Sequence, residues 1–128
     1  MKRLKFTRYD SSDIPEGFFF GGGCVYIAHI GGICKVGCST NPLQRIDRIQ
    51  SASGIIFQDV YVSQNVLGHY CLERKIHGII YDYKLCGEWF KIDPKLIISM
   101  SKDVDVDPEK GEMHSIYKKP KKAREAQS

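Results

Sequence analysis

The sequence predicts an α/β fold of the α+β kind, a small three-stranded and mostly antiparallel sheet flanked by helices. Three observations predict it. Two runs rich in β-branched and aromatic residues flank Gly31-Gly32, which reads as a hairpin. Capped stretches with helical apolar spacing follow and alternate with further strand-like runs. The chain of 128 residues has room for one hydrophobic core and little more.

Hydrophobic residues make up 42% of the chain and charged residues 27%, which excludes a collagen-like, coiled-coil or wholly disordered protein. Nineteen Lys+Arg against fifteen Asp+Glu leave a net charge of +4, compatible with a polyanionic partner but shared by many solvated surfaces. Cys24, Cys34, Cys38, Cys71 and Cys86 are odd in number and scattered through apolar stretches, as expected for reduced thiols in a cytoplasm. No run approaches the ~20 apolar residues of a membrane helix. Asp10, Asp13 and Glu16 interrupt the start, so a cytoplasmic protein with no leader and no membrane partner is expected.

Residues 1–22 form a polar, turn-rich lead-in whose aromatic triplet Phe18-Phe19-Phe20 is expected to pack on the domain. Gly21-Gly22-Gly23 lacks the Gly-Lys-Ser/Thr continuation of a phosphate loop and reads as a hinge or tight turn. Residues 23–100 form the domain. Cys24–Ile30 and Ile33–Gly37 are its first two strands. Asn41-Pro42 then caps a helix to about Ser51, with Leu43, Ile46 and Ile49 on its apolar face. Ile55–Val62 is the third strand candidate. A longer helix is expected from Asn65 to about Tyr83, although Gly68 and Gly78 weaken it. Glu88–Ile92 alternates like a short strand, and Asp93-Pro94 caps a last helix over Lys95–Met100. Residues 101–128 read as a charged flexible tail, acidic first and then basic through Lys118, Lys119, Lys121, Lys122 and Arg124.

Four features carry chemistry-bearing side chains: Tyr26, the Lys35-Val36-Gly37 strand end, Arg45, and the series His69, Glu73, His77. On a helix, steps of four drift only ~40° each, so the last three form one stripe. Taken singly, each has a bland reading as core aromatic, surface charge or helix-stabilising pair.

Together they resemble the GIY-YIG nuclease superfamily, in particular its phage and bacterial branch with a Lys-Ile-Gly-type second motif. Cys24-Val25-Tyr26 stands at the first motif and Lys35-Val36-Gly37 at the second. The stretch from Cys38 to Ile46 is similar to the helix bearing the superfamily's arginine. Leu72-Glu73-Arg74-Lys75-Ile76-His77 resembles the helix with the metal-binding glutamate, and Gly87-Glu88-Trp89-Phe90 the closing motif of the branch. The match runs from about Gly23 to Ile92.

The resemblance implies a metal-dependent endonuclease hydrolysing DNA phosphodiester bonds. It implies Glu73 as the ligand of Mg²⁺ or Mn²⁺, a hard ion that keeps several waters, and Arg45 as a fork on phosphate oxygens. It implies Tyr26 as the group that positions or deprotonates water, and Lys35 as a phosphate contact or a modulator of Tyr26. His77, one turn after Glu73, is the candidate replacement for a histidine absent elsewhere. Ile49 stands one turn after Arg45 where other members carry His or Tyr, and the closing asparagine of the superfamily has no counterpart. The alternative is therefore a catalytically degenerate nucleic-acid or protein interaction module. DNA is the expected partner, with specificity supplied by a homodimer or a separate protein. A second metal reading sets Cys34 and Cys38 with His69, Cys71, His77 or Cys86 around Zn²⁺, although Cys-x₃-Cys alone is a weak signature.

Overall fold

The computed structural model describes residues 3–10 and 22–106. The aromatic triplet at 18–20, Gly21 and the basic end of the tail lie outside the described residues. The elements run β1 (Phe6–Tyr9), β2 (Cys24–Ile30), β3 (Ile33–Ser39), α1 (Pro42–Ser53), β4 (Asp59–Ser63), α2 (His69–Ile79), a 3₁₀ turn (Tyr81–Tyr83), β5 (Lys84–Cys86), β6 (Trp89–Phe90) and α3 (Pro94–Ser101).

An α+β fold is what forms, but the sheet has six strands rather than three, in the order β1-β4-β2-β3-β6-β5 with every described pair antiparallel. The three expected strands are its centre. The β2–β3 hairpin turns on Gly31 and Gly32, both at positive φ (56° and 84°), the backbone that a two-residue hairpin loop demands and a side chain resists. Two of the added strands are short edges, and their existence depends on a partner rather than on local pattern. β1 lies in the lead-in, where Phe6–Tyr9 pairs with Val60–Ser63. Residues beyond 100 also join the domain: the Leu4 amide donates to the Val104 carbonyl at 3.0 Å, and Val106 is buried. The packed unit thus extends past both expected boundaries.

Strand periodicity separates two cores. Val25, Ile27, Cys34, Val36 and Tyr61 face Leu72 and Ile76 of α2 and Ile97 of α3. Cys24, Tyr26, Ala28, Val60 and Val62 face Ile46 of α1 and Phe57. The expected Leu43, Ile46, Ile49 stripe is the buried face of α1. Asn41 caps that helix by accepting from the Gln44 amide at 3.2 Å, with Pro42 in the first turn. Asp93 caps α3 likewise, accepting from the Lys95 amide at 2.7 Å. Completely buried Ile46 contributes about 1.5–3 kcal/mol by area.

The helix expected from Asn65 to Tyr83 is shorter than that. Val66 lies outside it and bridges Gly23, exchanging two backbone hydrogen bonds of 2.9 Å. α2 starts only at His69 and stops at Ile79, after which the chain tightens into the 3₁₀ turn and enters β5. This ending matters for function. It returns the chain to the sheet edge and sets residues 87–90 alongside β3.

Candidate functional site

The site begins with a cross-strand pair. Tyr26 on β2 sits opposite Gly37 on β3, so both point to the α1 face of the sheet. A side chain at position 37 would collide with the phenol. An added Cβ would stand 2.4 Å from the Tyr26 hydroxyl oxygen and 3.1 Å from Glu88 Oε1. Absence of a side chain at Gly37 lets the phenol lie across β3 towards the turn before β6. The ring is completely buried, and its hydroxyl has no hydrogen-bond partner among the described residues.

Glu73 reaches the same region from the other face, on the helix stripe that the sequence indicated. Its Oε1 accepts a hydrogen bond from the Cys38 thiol at 3.1 Å, and its Oε2 lies 3.5 Å from His77 Nε2. The His77 Nε2 proton goes to the Val36 carbonyl at 2.8 Å, and its ring meets Phe90 edge-on with centroids 5.0 Å apart. His77 is therefore locked between strand, helix and core. It packs beside Glu73 without donating to it.

The fourth and fifth expected residues arrive from β3 and from α1. Lys35 Nζ donates to Glu88 Oε1 at 2.8 Å and stands 5.7 Å above the Trp89 ring. Arg45 is an exposed residue of the first turn of α1. Its guanidinium approaches the Tyr26 phenol without a hydrogen bond of ordinary geometry, and its charge lowers the phenol's pKa. Burial outweighs it. The phenol is pushed well above its ordinary value, mainly by burial and further by the charges of Glu88 and Glu73, so it is neutral at physiological pH. Tyr26, Lys35, Arg45, Glu73 and His77 are thus neighbours in space, drawn from four elements.

Glu88 is the residue that sequence reasoning passed over as part of a motif. The Val36 amide donates to its backbone carbonyl at 2.9 Å, tying the turn to β3. Its carboxyl is near enough to that of Glu73 for each to shift the other's titration. The pair splits. Burial pushes Glu73 up, and Glu88 adds to that push; Glu88 is also partly desolvated, but Lys35 draws it below the usual range. A signal was available in the sequence, because Lys35 and Glu88 carry opposite charges in the two motifs that close the sheet.

The zinc reading fails on geometry. The Cys34 thiol donates to the Ile92 carbonyl at 3.3 Å and the Cys38 thiol to Glu73, so the two do not converge. Among the described residues, no three or more His, Cys, Asp or Glu side chains form a group that could hold a metal ion. An open cleft of about 710 Å³ runs along α1, lined by Asn41, Gln44, Asp47, Arg48 and Ser51 among others. It flanks the helix that carries Arg45 but includes neither Tyr26 nor Glu73. Among the described residues, no helix is long and apolar enough to cross a membrane.

Residues 23–105 match the T5orf172 domain, which covers every element from β2 to α3. The chain belongs to the T5orf172 domain family. T5orf172 is a phage-associated, nuclease-related domain, and the site described above lies wholly within the matched residues. Neither a curated protein nor a solved structure matches the chain.

Proposed function

We propose that this T5orf172 domain is a metal-dependent endonuclease of the GIY-YIG type that hydrolyses DNA phosphodiester bonds. The observation that carries the reading is a buried phenol without a hydrogen-bond partner among the described residues, Tyr26, near enough to feel the charges of both Arg45 and Glu73.

The residues suit a hard divalent cation. Glu73 offers carboxylate oxygen held by the Cys38 thiol, and the absence of a side chain at Gly37 admits the Tyr26 hydroxyl next to Glu88 Oε1. Bound there, Mg²⁺ or Mn²⁺ would offset charge on the phosphoryl oxygens and acidify water. Arg45 provides planar, two-pronged donation to a phosphate oxygen from an exposed position that a DNA backbone can reach. Tyr26, held neutral, orients the attacking water through its hydroxyl. Lys35 is committed to Glu88 and acts on that carboxylate, and His77, bonded to the Val36 carbonyl, lines the side of Glu73.

Supercoiled plasmid incubated with the protein and Mg²⁺ or Mn²⁺ should be nicked or linearised, and EDTA should stop it. Binding without cleavage under every divalent condition would favour the interaction-module reading instead.

A further inference from the structure

The resemblance supplies one carboxylate for the cation, whereas the folded chain brings two together. We propose that Glu88 is a second ligand of the divalent cation, completing with Glu73 an all-oxygen site that the Tyr26 hydroxyl borders. The inference rests on the nuclease reading and deepens it.

Three features of the chain lead there. The first is placement: Glu88 is fixed at the backbone by Val36 and at the side chain by Lys35, and the β3–β6 register sets Lys35 opposite Trp89. Glu73 comes to the same strand residue, because its neighbour His77 bonds the Val36 carbonyl while the Val36 amide bonds the Glu88 carbonyl, so two carboxylates share one neighbourhood, an arrangement that repels unless a cation or a proton lies between them. Lys35 offsets one of the two charges. Glu73 receives a hydrogen bond from the uncharged Cys38 thiol.

The second feature is the orphaned hydroxyl. Tyr26 is completely buried, and its oxygen and Glu88 Oε1 both lie within about 3 Å of the point where a Gly37 Cβ would be. A buried hydroxyl with no partner is costly. If Lys35 and Glu88 formed only a structural strut, that cost would have no return. A proton shared by the two carboxyls would relieve their repulsion but give the phenol nothing. A hydrated cation relieves both, because its waters can bond to the phenol.

The third is exposure. The Glu88 side chain is 41% exposed and that of Glu73 12%. The pair therefore has one ligand anchored in the fold and one at the solvent edge, where an ion exchanging from water would enter.

The test is Mn²⁺ binding to the full chain without DNA, read from the electron paramagnetic resonance signal of free Mn²⁺. Wild type, Glu73→Gln, Glu88→Gln and the surface control Asp47→Asn are compared, with plasmid cleavage in Mn²⁺ run alongside. The expected result is at least a tenfold loss of Mn²⁺ affinity in both glutamine variants and none in Asp47→Asn. Wild-type Mn²⁺ affinity in Glu88→Gln, with loss in Glu73→Gln and active wild type, would overturn the role of Glu88 and leave the nuclease reading standing. Wild type that neither binds Mn²⁺ nor cleaves would overturn both. Should Glu88→Gln fail to fold, Glu88→Asp keeps the charge paired with Lys35 but shortens the reach, and the same tenfold loss is expected; unchanged affinity would again overturn the proposal.

Discussion

The Tyr26 phenol lies across Gly37, its partner in the β2–β3 ladder, so closely that a Cβ there would stand 2.4 Å from the hydroxyl oxygen and 2.6 Å from Cζ. The glycine of the second motif thus has a mechanical meaning: it is the floor on which the phenol reaches the carboxylates.

Gly37→Ala must therefore displace the phenol or bend β3. Overpacking of this kind costs about 1–3 kcal/mol. Urea denaturation should show that loss, and cleavage should fall with it because the Tyr26 hydroxyl has moved. Wild-type stability and rate together would mean that the ring yields freely, and that its placement is immaterial.

Arg45 competes with a bland reading as an exposed helix charge. If it stabilises the transition state through a bidentate fork, Arg45→Lys keeps the charge and loses the geometry. A loss of ~2–4 kcal/mol is the scale for one preorganised donor, or roughly a 30- to 1,000-fold slower reaction. DNA affinity should change little. Single-turnover cleavage at saturating protein measures this, and a wild-type rate would remove Arg45 from the catalytic group.

Cys38 acts through Glu73, to which its thiol donates at 3.1 Å. Cys38→Ala removes that donor, and the Mn²⁺ concentration for half-maximal cleavage should rise by about 10- to 100-fold, the range for partners that orient a metal ligand. Cys38→Ser retains a donor and should shift it much less. Equal shifts in the two variants would show that packing, not the hydrogen bond, is what Cys38 supplies.

His69 gives a pH dependence away from the site. Its ring is buried against Gly23 at the start of α2, its Nδ1 has no hydrogen-bond partner among the described residues, and burial lowers its pKa. In the unfolded chain the imidazole titrates near its ordinary ~6.5. Above that value both states are neutral; below it the unfolded state binds more protons, so stability falls as pH falls towards the lowered folded pKa. Urea titrations at pH 7.5 and 5.5 should show a smaller acid loss in His69→Gln than in wild type. Equal losses would exclude His69 as a source.

The sequence made the centre of the fold legible because its signals are local. Gly31-Gly32 forces a hairpin, Asn41-Pro42 and Asp93-Pro94 start helices, and the Leu43, Ile46, Ile49 spacing survives as a buried stripe. The edges were not legible. Phe6–Tyr9 and Lys84–Cys86 are four and three residues long and become strands only by pairing, with β4 and β6. Helical apolar spacing continues through Ile80 towards Tyr83, and Gly68 and Gly78, which stand at the two ends of α2, are weak signs beside it. Glu88 escaped for the same reason. Its approach to Glu73 follows from the return of the chain to β3, a tertiary event that one motif read alone does not contain.

The central claim is that Glu73 holds the cation on which hydrolysis depends. It is tested most directly by single-turnover plasmid cleavage in Mn²⁺ with wild type and Glu73→Gln, each shown to be folded by thermal unfolding. Glutamine keeps the shape and an oxygen acceptor for Cys38 but loses the charge that a hard divalent ion requires. The account predicts cleavage by wild type and none above background by Glu73→Gln, with both proteins equally folded; wild-type nicking by folded Glu73→Gln would contradict it.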